Sequence, residues 1–233
     1  WVHNGFVRIN TEKMSNSLGN FITLRDIYAG YLPEVLRFFL VSAHYRSPLD
    51  YSDTAMDEAE KGIKRVYAAL ETAQAALTRA KWSGAVLPAD VAGEMTRLEA
   101  GYAKAMDDDL NTAAALGHVF GMIRLVNRVL EDKALAKCKD VPDLCRRFLA
   151  DMAGYASVLG VFGTDPAEFK ARLKTSRMTR KGIDAATVEA LMAERLAARI
   201  SKDFARSDAI RDELSALCVE VKDTPAGPVW DVA

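Results

Sequence analysis

The chain has 233 residues, half of them hydrophobic, and a formal charge of −1. That length builds one large domain or two modest ones, and the near-neutral charge excludes a polycation, so contacts to nucleic acid would have to be gathered locally. The three cysteines, Cys138, Cys145 and Cys218, have no CxxC spacing and no neighbouring histidine pair. This argues against a zinc site or a disulfide framework and for a reducing, cytoplasmic setting. No apolar run approaches the roughly 20 residues of a membrane span, and no signal-peptide pattern is visible, so no membrane partner is expected. The chain starts at Trp1 in what reads as the middle of a structured segment, and it is expected to be a fragment.

Gly5 to Asn10 alternates like a short strand and runs into a polar loop, Thr11 to Asn20. Thr23 is a suitable N-cap for a helix from Leu24 to Gly30, and Pro33 fits the first turn of a helix from Pro33 to Ala43. That second helix is expected to bury Val35, Phe38, Phe39 and the neighbourhood of Val41 and Ser42. Tyr45 to Tyr51 reads as an extended connector, because the residue before Pro48 avoids the helical region. From Ser52 the apolar residues Met56, Ala59, Ile63, Val66, Tyr67, Leu70, Ala73 and Leu77 recur at helical spacing. Ser83, Gly84 and Pro88 end that helix. Further helices are expected from Pro88 to about Met106, from Asn111 or Thr112 past Leu130, and from Val141 to about Leu159. Long amphipathic helices with short connections argue for an antiparallel bundle.

Gly160 to Ile183 reads as a linker, carrying the basic residues Lys170, Arg172, Lys174, Arg177, Arg180 and Lys181 with no acid among them. Two readings of this run stand: nonspecific contact with RNA phosphates, or a solvated linker. Beyond it come helices Ala185 to Ile200 and Lys202 to Leu217, a strand Val219 to Lys222, a turn at Asp223 to Gly227, and a strand through Val229 and Trp230. The fold class is mainly α: a connector segment, an antiparallel helix bundle and a small C-terminal αβ unit. The expected divisions are 1–51, 52–160, 161–184 and 185–233.

The loop Lys13-Met14-Ser15-Asn16-Ser17-Leu18-Gly19-Asn20 offers a cation, two hydroxyls and a carboxamide within five positions. Such a loop can close over a polyphosphate and stabilise charge on departing pyrophosphate, although composition alone favours a solvated surface loop. The Asp107-Asp108-Asp109 cluster lacks the ligand spacing of a calcium loop, and a helix end followed by a new N-cap accounts for it. His44, at a helix end, suits a structural role better than a catalytic one.

The loop resembles the KMSKS motif of the synthetases with a Rossmann-type catalytic domain. The flanking residues His3 to Val7 and Leu18 to Asp26 resemble the cysteinyl-tRNA synthetase branch. Pro33 to Leu40, Ser42 to Leu49, Ala105 to Thr112 and Asp203 to Trp230 continue that resemblance in collinear order. Asn16 stands where the family has the second lysine of its motif, so phosphate stabilisation should lean on Lys13, Ser15 and Ser17. The resemblance implies ATP binding by Lys13, Ser15, Asn16 and Ser17, with Lys13 in the catalytic role, and anticodon reading by Arg199, Phe204, Asp208 and Asp223. It implies tRNA-Cys, ATP and cysteine as partners, magnesium with the ATP, and the helical part as a DALR-like tRNA-binding domain. The family's HIGH motif and its zinc ligands are not found in this chain. Zinc is therefore expected only in an N-terminal half, and the 233 residues alone should not activate cysteine. A monomer is expected. Two alternatives remain: a related ligase that passes cysteine to an amino sugar, and a non-catalytic RNA-binding helical protein. The residue readings of Phe204 as a packing residue and of Asp208 as a surface pair with Arg206 or Arg211 also stand at this point.

Overall fold

The computed structural model describes residues 1–10, 12–14, 21–79, 82–224 and 227–232. In chain order its elements are β1 Val7–Ile9, β2 Glu12–Lys13, α1 Leu24–Gly30, α2 Pro33–Val41, β3 Leu49–Tyr51, α3 Asp53–Leu77, α4 Ala89–Asp107, α5 Thr112–Glu131, a 3-10 turn Leu135–Lys137, α6 Val141–Leu159, α7 Pro166–Lys181, α8 Ala185–Ile200, α9 Phe204–Ala216, β4 Val219–Thr224 and β5 Gly227–Val232. The protein is mainly α with a small C-terminal strand unit. It forms two units, residues 1–23 with 33–170 and residues 24–32 with 171–233.

In the first unit β1 pairs antiparallel with β2 and parallel with β3. Gly5 enters this sheet with its N–H donating to the Tyr45 carbonyl at 2.7 Å. A Cβ there would lie 2.1 Å from the Ser47 carbonyl oxygen, so only glycine permits the approach. The connector after α2 is not extended throughout. It turns between His44 and Ser47, whose N–H donates back to the His44 carbonyl at 2.8 Å, and becomes a strand only at Leu49.

The turn has a cause in side-chain bonding. The Asp109 carboxylate, at a left-handed backbone position between α4 and α5, accepts from the Tyr45 hydroxyl at 2.6 Å and from Arg46 Nε at 2.5 Å. These two donors hold its carboxyl down at about 2. His44 stacks on Tyr45 and accepts from the Arg46 N–H, which fits a structural role.

α2 stops at Val41, two residues short of the expected end. Its burial falls on Val35, Leu36, Phe38 and Phe39, while Ser42 is exposed and Val41 only half-buried. Glu34 on this helix accepts from the Tyr67 hydroxyl on α3 and the Phe162 N–H, both at 2.6 Å, and from Thr164 Oγ1 at 3.3 Å. One carboxylate thereby ties α2 to α3 and to the loop after α6. That loop opens at Gly160, the left-handed C-cap of α6 at φ 67°.

α3 starts at Ser52, whose side chain accepts from the Ala55 N–H, and buries the expected face from Met56 through Ala73. Asn111 caps α5 in the same way through Ala114. α5 packs on α3, α4 and α6 and buries Leu116, Val119, Met122, Ile123, Val126 and Val129. By length and composition it is the one helix among the described residues that could cross a membrane. Its buried face identifies it instead as the central helix of the bundle. Between α4 and α6, Arg147 forks onto Glu99, and Tyr102 stacks on Tyr155 with centroids 3.7 Å apart. Asp151 lies beside this pair. Burial, then the neighbouring Glu99, pushes its carboxyl up to about 6.

The segment 161–184, expected as a basic linker, is largely helix α7. Asp165 accepts from the N–H groups of Ala167 and Glu168, and Pro166 occupies the first helical position. Phe169, Leu173 and Arg177 then form a buried stripe at four-residue spacing.

In the second unit α8, α9 and the β4–β5 hairpin enclose Val188, Met192, Ile210, Leu214 and Val219. Asp184 and Asp203 cap the two helices. The hairpin runs in register from Val219 opposite Val232 to Thr224 opposite Gly227.

Asp151 gives a stability prediction. Its folded carboxyl titrates near 6, above the ordinary value of about 3.9. The native state therefore binds the extra proton, and stability falls as pH rises through that window. Asp151→Asn should raise the melting temperature at pH 7.5 by on the order of 2 °C, discounted for partial exposure. The gain should shrink as pH falls through about 6 and vanish only below about 4, under the unfolded value. Thermal melts of both proteins across pH 3.5–8 check it.

Candidate nucleic-acid interface

The residues with unfilled chemistry gather where α8 ends, α9 begins and the hairpin turns. Arg195 and Arg199 stand one turn apart on α8, so both point the same way. The Asp223 carboxylate meets them. Arg195 Nη1 and Nη2 donate to Oδ1 and Oδ2 at 3.0 and 3.2 Å, and Arg199 Nη1 donates to Oδ2 at 2.5 Å. These hydrogen bonds, Arg195 first and then Arg199, hold the Asp223 carboxyl down at about 2. Arg195 is only 7% exposed, whereas Arg199 and Asp223 are about half open to solvent. Asp223 belongs to strand β4, opposite Pro228, and not to the turn where the sequence put it. Extending the hairpin by two residues is what brings its carboxylate back along α8.

Phe204 is the first residue of α9 and is 64% exposed. The packing role open to it is excluded, because the core between the helices is filled by Met192, Ile210 and Leu214. Asp208 follows one turn later, also exposed, and has no hydrogen-bond or ion-pair partner among the described residues. Its suggested partner Arg206 instead bridges Glu194 and Glu213 at 2.7 and 2.8 Å. The structure thus joins Arg199 directly to Asp223 and sets Phe204 and Asp208 on one helical face. No bond links the two pairs.

Sequence reasoning missed two features here. Arg195 is one, and its signal was its place four residues before Arg199. The other is a pair of apolar side chains, Leu196 and Ile200, exposed by 45% and 76%. Both lie off the buried stripe Val188, Met192, Arg195 and Ala198.

The basic run contributes less than its composition implied. Lys174 Nζ donates to the Trp230 carbonyl at 3.0 Å and lies 3.1 Å from that ring's centroid. Arg177 donates to the Val232 carbonyl at 2.8 Å, and Arg180 lies over Tyr31 with Nη1 donating to the Gly30 carbonyl. These three cations hold the unit together from inside.

At the other end of the chain, β2 sets the Lys13 backbone opposite Arg8. The Lys13 side chain and all of Ser15, Asn16 and Ser17 lie outside the described residues. Among the described residues no three His, Cys, Asp or Glu side chains converge to hold a metal ion, so they do not fit the zinc that the family resemblance implies.

Comparison with known proteins matches three family models along the chain. The class I (C) tRNA synthetase catalytic domain matches residues 1–61, the DALR domain residues 101–163, and the cysteinyl-tRNA ligase anticodon binding domain residues 185–230. The cysteine–tRNA ligase of Solidesulfovibrio magneticus is 66% identical over 233 residues, all of this chain and 48% of the relative. That of Nitratidesulfovibrio vulgaris strain Hildenborough is 58% identical over 232 residues, and that of Geotalea daltonii 46% over 241. The chain spans about half the length of the curated relatives it matches.

The arginine pair gives this site an acid signature. The Asp223 carboxyl titrates near 2 in the folded chain and at about 3.9 when unfolded. The ion pair's contribution is complete above the unfolded value and is lost as pH falls toward 2. In urea melts Asp223→Asn should be less stable than wild type at pH 5, and the gap should close by pH 2.

Proposed function

The chain belongs to the cysteinyl-tRNA synthetase family, and on that premise we propose that it supplies the ATP loop and the tRNA-reading part of an enzyme that charges tRNA-Cys with cysteine. In that reaction the cysteine carboxylate attacks the α-phosphorus of ATP and pyrophosphate leaves. The tRNA 3′-terminal hydroxyl then displaces AMP from the cysteinyl adenylate. Lys13, Ser15 and Ser17, with Asn16 as a neutral donor, are the groups proposed to stabilise the phosphate charge. Magnesium would share that charge. The proposed setting is the cytoplasm, where free thiols stay reduced, and the proposed state is a monomer.

The observation that carries the tRNA reading is the exposed Phe204 ring in the stretch matched by the anticodon binding domain. An unpaired base can stack on such a ring while polar side chains take its edge. Arg199 offers donors, and Asp208 and Asp223 offer acceptors. A ligase using an amino-sugar acceptor would have no use for this unit, which favours the tRNA reading.

The test is binding of tRNA-Cys and an anticodon-substituted tRNA-Cys. A stacked base is worth about 1–3 kcal/mol, so Phe204→Ala should weaken tRNA-Cys binding roughly ten- to a hundredfold. Asp208→Ala should mainly narrow the difference between the two tRNAs, because a carboxylate adds little affinity for a polyanion. Equal losses for both tRNAs together with a lowered melting temperature would reduce these residues to structural ones.

A further inference from the structure

We propose that Arg195 is a positioning residue for base reading: its buried fork fixes the plane of the Asp223 carboxylate and leaves Arg199 free to present its remaining donors to a base. The inference rests on the anticodon reading above.

A guanidinium as buried as Arg195 is uncommon without a partner, and here both of its terminal nitrogens serve one carboxylate. Such a two-point contact fixes orientation as well as charge. A carboxylate has about four acceptor positions. Arg195 fills one on each oxygen and Arg199 adds a second bond on Oδ2, so Oδ1 keeps an open position. Arg199 uses only Nη1 among the described residues, which leaves Nε and Nη2 as donors. The result is an acceptor and a set of donors side by side, both partly exposed. Hydrogen bonding to Arg195 and Arg199 also keeps Asp223 ionised throughout the physiological range.

Stability alone does not account for a buried arginine here. Its Nε is buried without a partner among the described residues, an unmade bond that a well-packed apolar side chain would avoid. What an apolar residue could not do is orient Asp223. Without the fork, Asp223 and Arg199 would close on each other two-point, consuming the donors that a base needs.

The experiment compares the affinities of the chain for tRNA-Cys and anticodon-substituted tRNA-Cys, taken as a ratio, in Arg195→Lys, Asp223→Asn, Arg199→Ala and the Arg195→Lys/Asp223→Asn double variant. Lysine keeps the charge but cannot fork. Arg195→Lys is expected to cut the ratio about tenfold, the scale of one lost two-point contact. In the double variant it should add nothing beyond Asp223→Asn, because Arg195 acts through that carboxylate. Arg195→Gln, neutral and of similar stem, is read in the same way should the lysine variant fail to fold. Val188→Ala is the control that loosens the core and should leave the ratio unchanged. If Asp223→Asn and Arg199→Ala cut the ratio but neither Arg195 variant does, or if their losses simply add, the positioning role is overturned and the anticodon reading survives. If none of the variants changes the ratio, the anticodon reading falls and the positioning role falls with it.

Discussion

A carboxylate on β4 held between two arginines of α8 sets the terms for the whole C-terminal unit. The buried core there consists of Val188, Met192, Ile210, Leu214 and Val219. Ile183, Leu191, Val221 and Trp230 pack against it, and a core of this size leaves a share of the work to polar contacts. Polar staples add to it. Asp223 fastens β4 to α8 through Arg195 and Arg199, and Trp230 Nε1 fastens β5 to Glu189 at 2.7 Å. Lys174 and Arg177 fasten the same strand to α7 through backbone carbonyls. The charges that look available for RNA in the sequence are thus divided between those that build the unit and those left at its surface.

That division explains which parts of the chain were legible in advance. The bounds of α6 and α8 were readable because their signals are local: an apolar stripe with Gly160 after α6, and Asp184 before α8. α7 was not, although Asp165, Pro166 and Glu168 spell a helix start. Its buried stripe runs Phe169, Leu173, Arg177, and a cation in the third place disguises a core face as a solvated run. Arg177 is buried with Val232, 55 residues later, turning a carbonyl toward it. No spacing rule contains that fact.

The candidate site divides in the same way. Phe204 and Asp208 share a face because they are four apart on one helix, which is sequence information. The meeting of Arg199 with Asp223 depends on hairpin register, and so does the burial of Arg195. Register follows from pairing Val219 with Val232, a contact between strands that spacing along one of them cannot specify. Tyr45, Arg46 and Asp109 make the same point in the first unit. Two stretches that carry the family resemblance separately prove to be two halves of one hydrogen-bonded clasp.

The exposed side chains close the argument. Leu196, Ile200 and Phe204 are large, apolar and open, in consecutive turns around the α8–α9 connection. Scattered singly, such residues need no account; if the three share one face, they would offer a partner an apolar surface. An apolar protein partner would be served by the patch alone and would gain nothing from Arg199 and Asp223, whose desolvation would cost it affinity. A double-stranded nucleic acid would use the cations and leave the apolar faces idle. An unpaired base, the ligand of the proposed reading, has a flat face to cover and a polar edge to satisfy, and it would use both the apolar side chains and the Arg199–Asp223 pair.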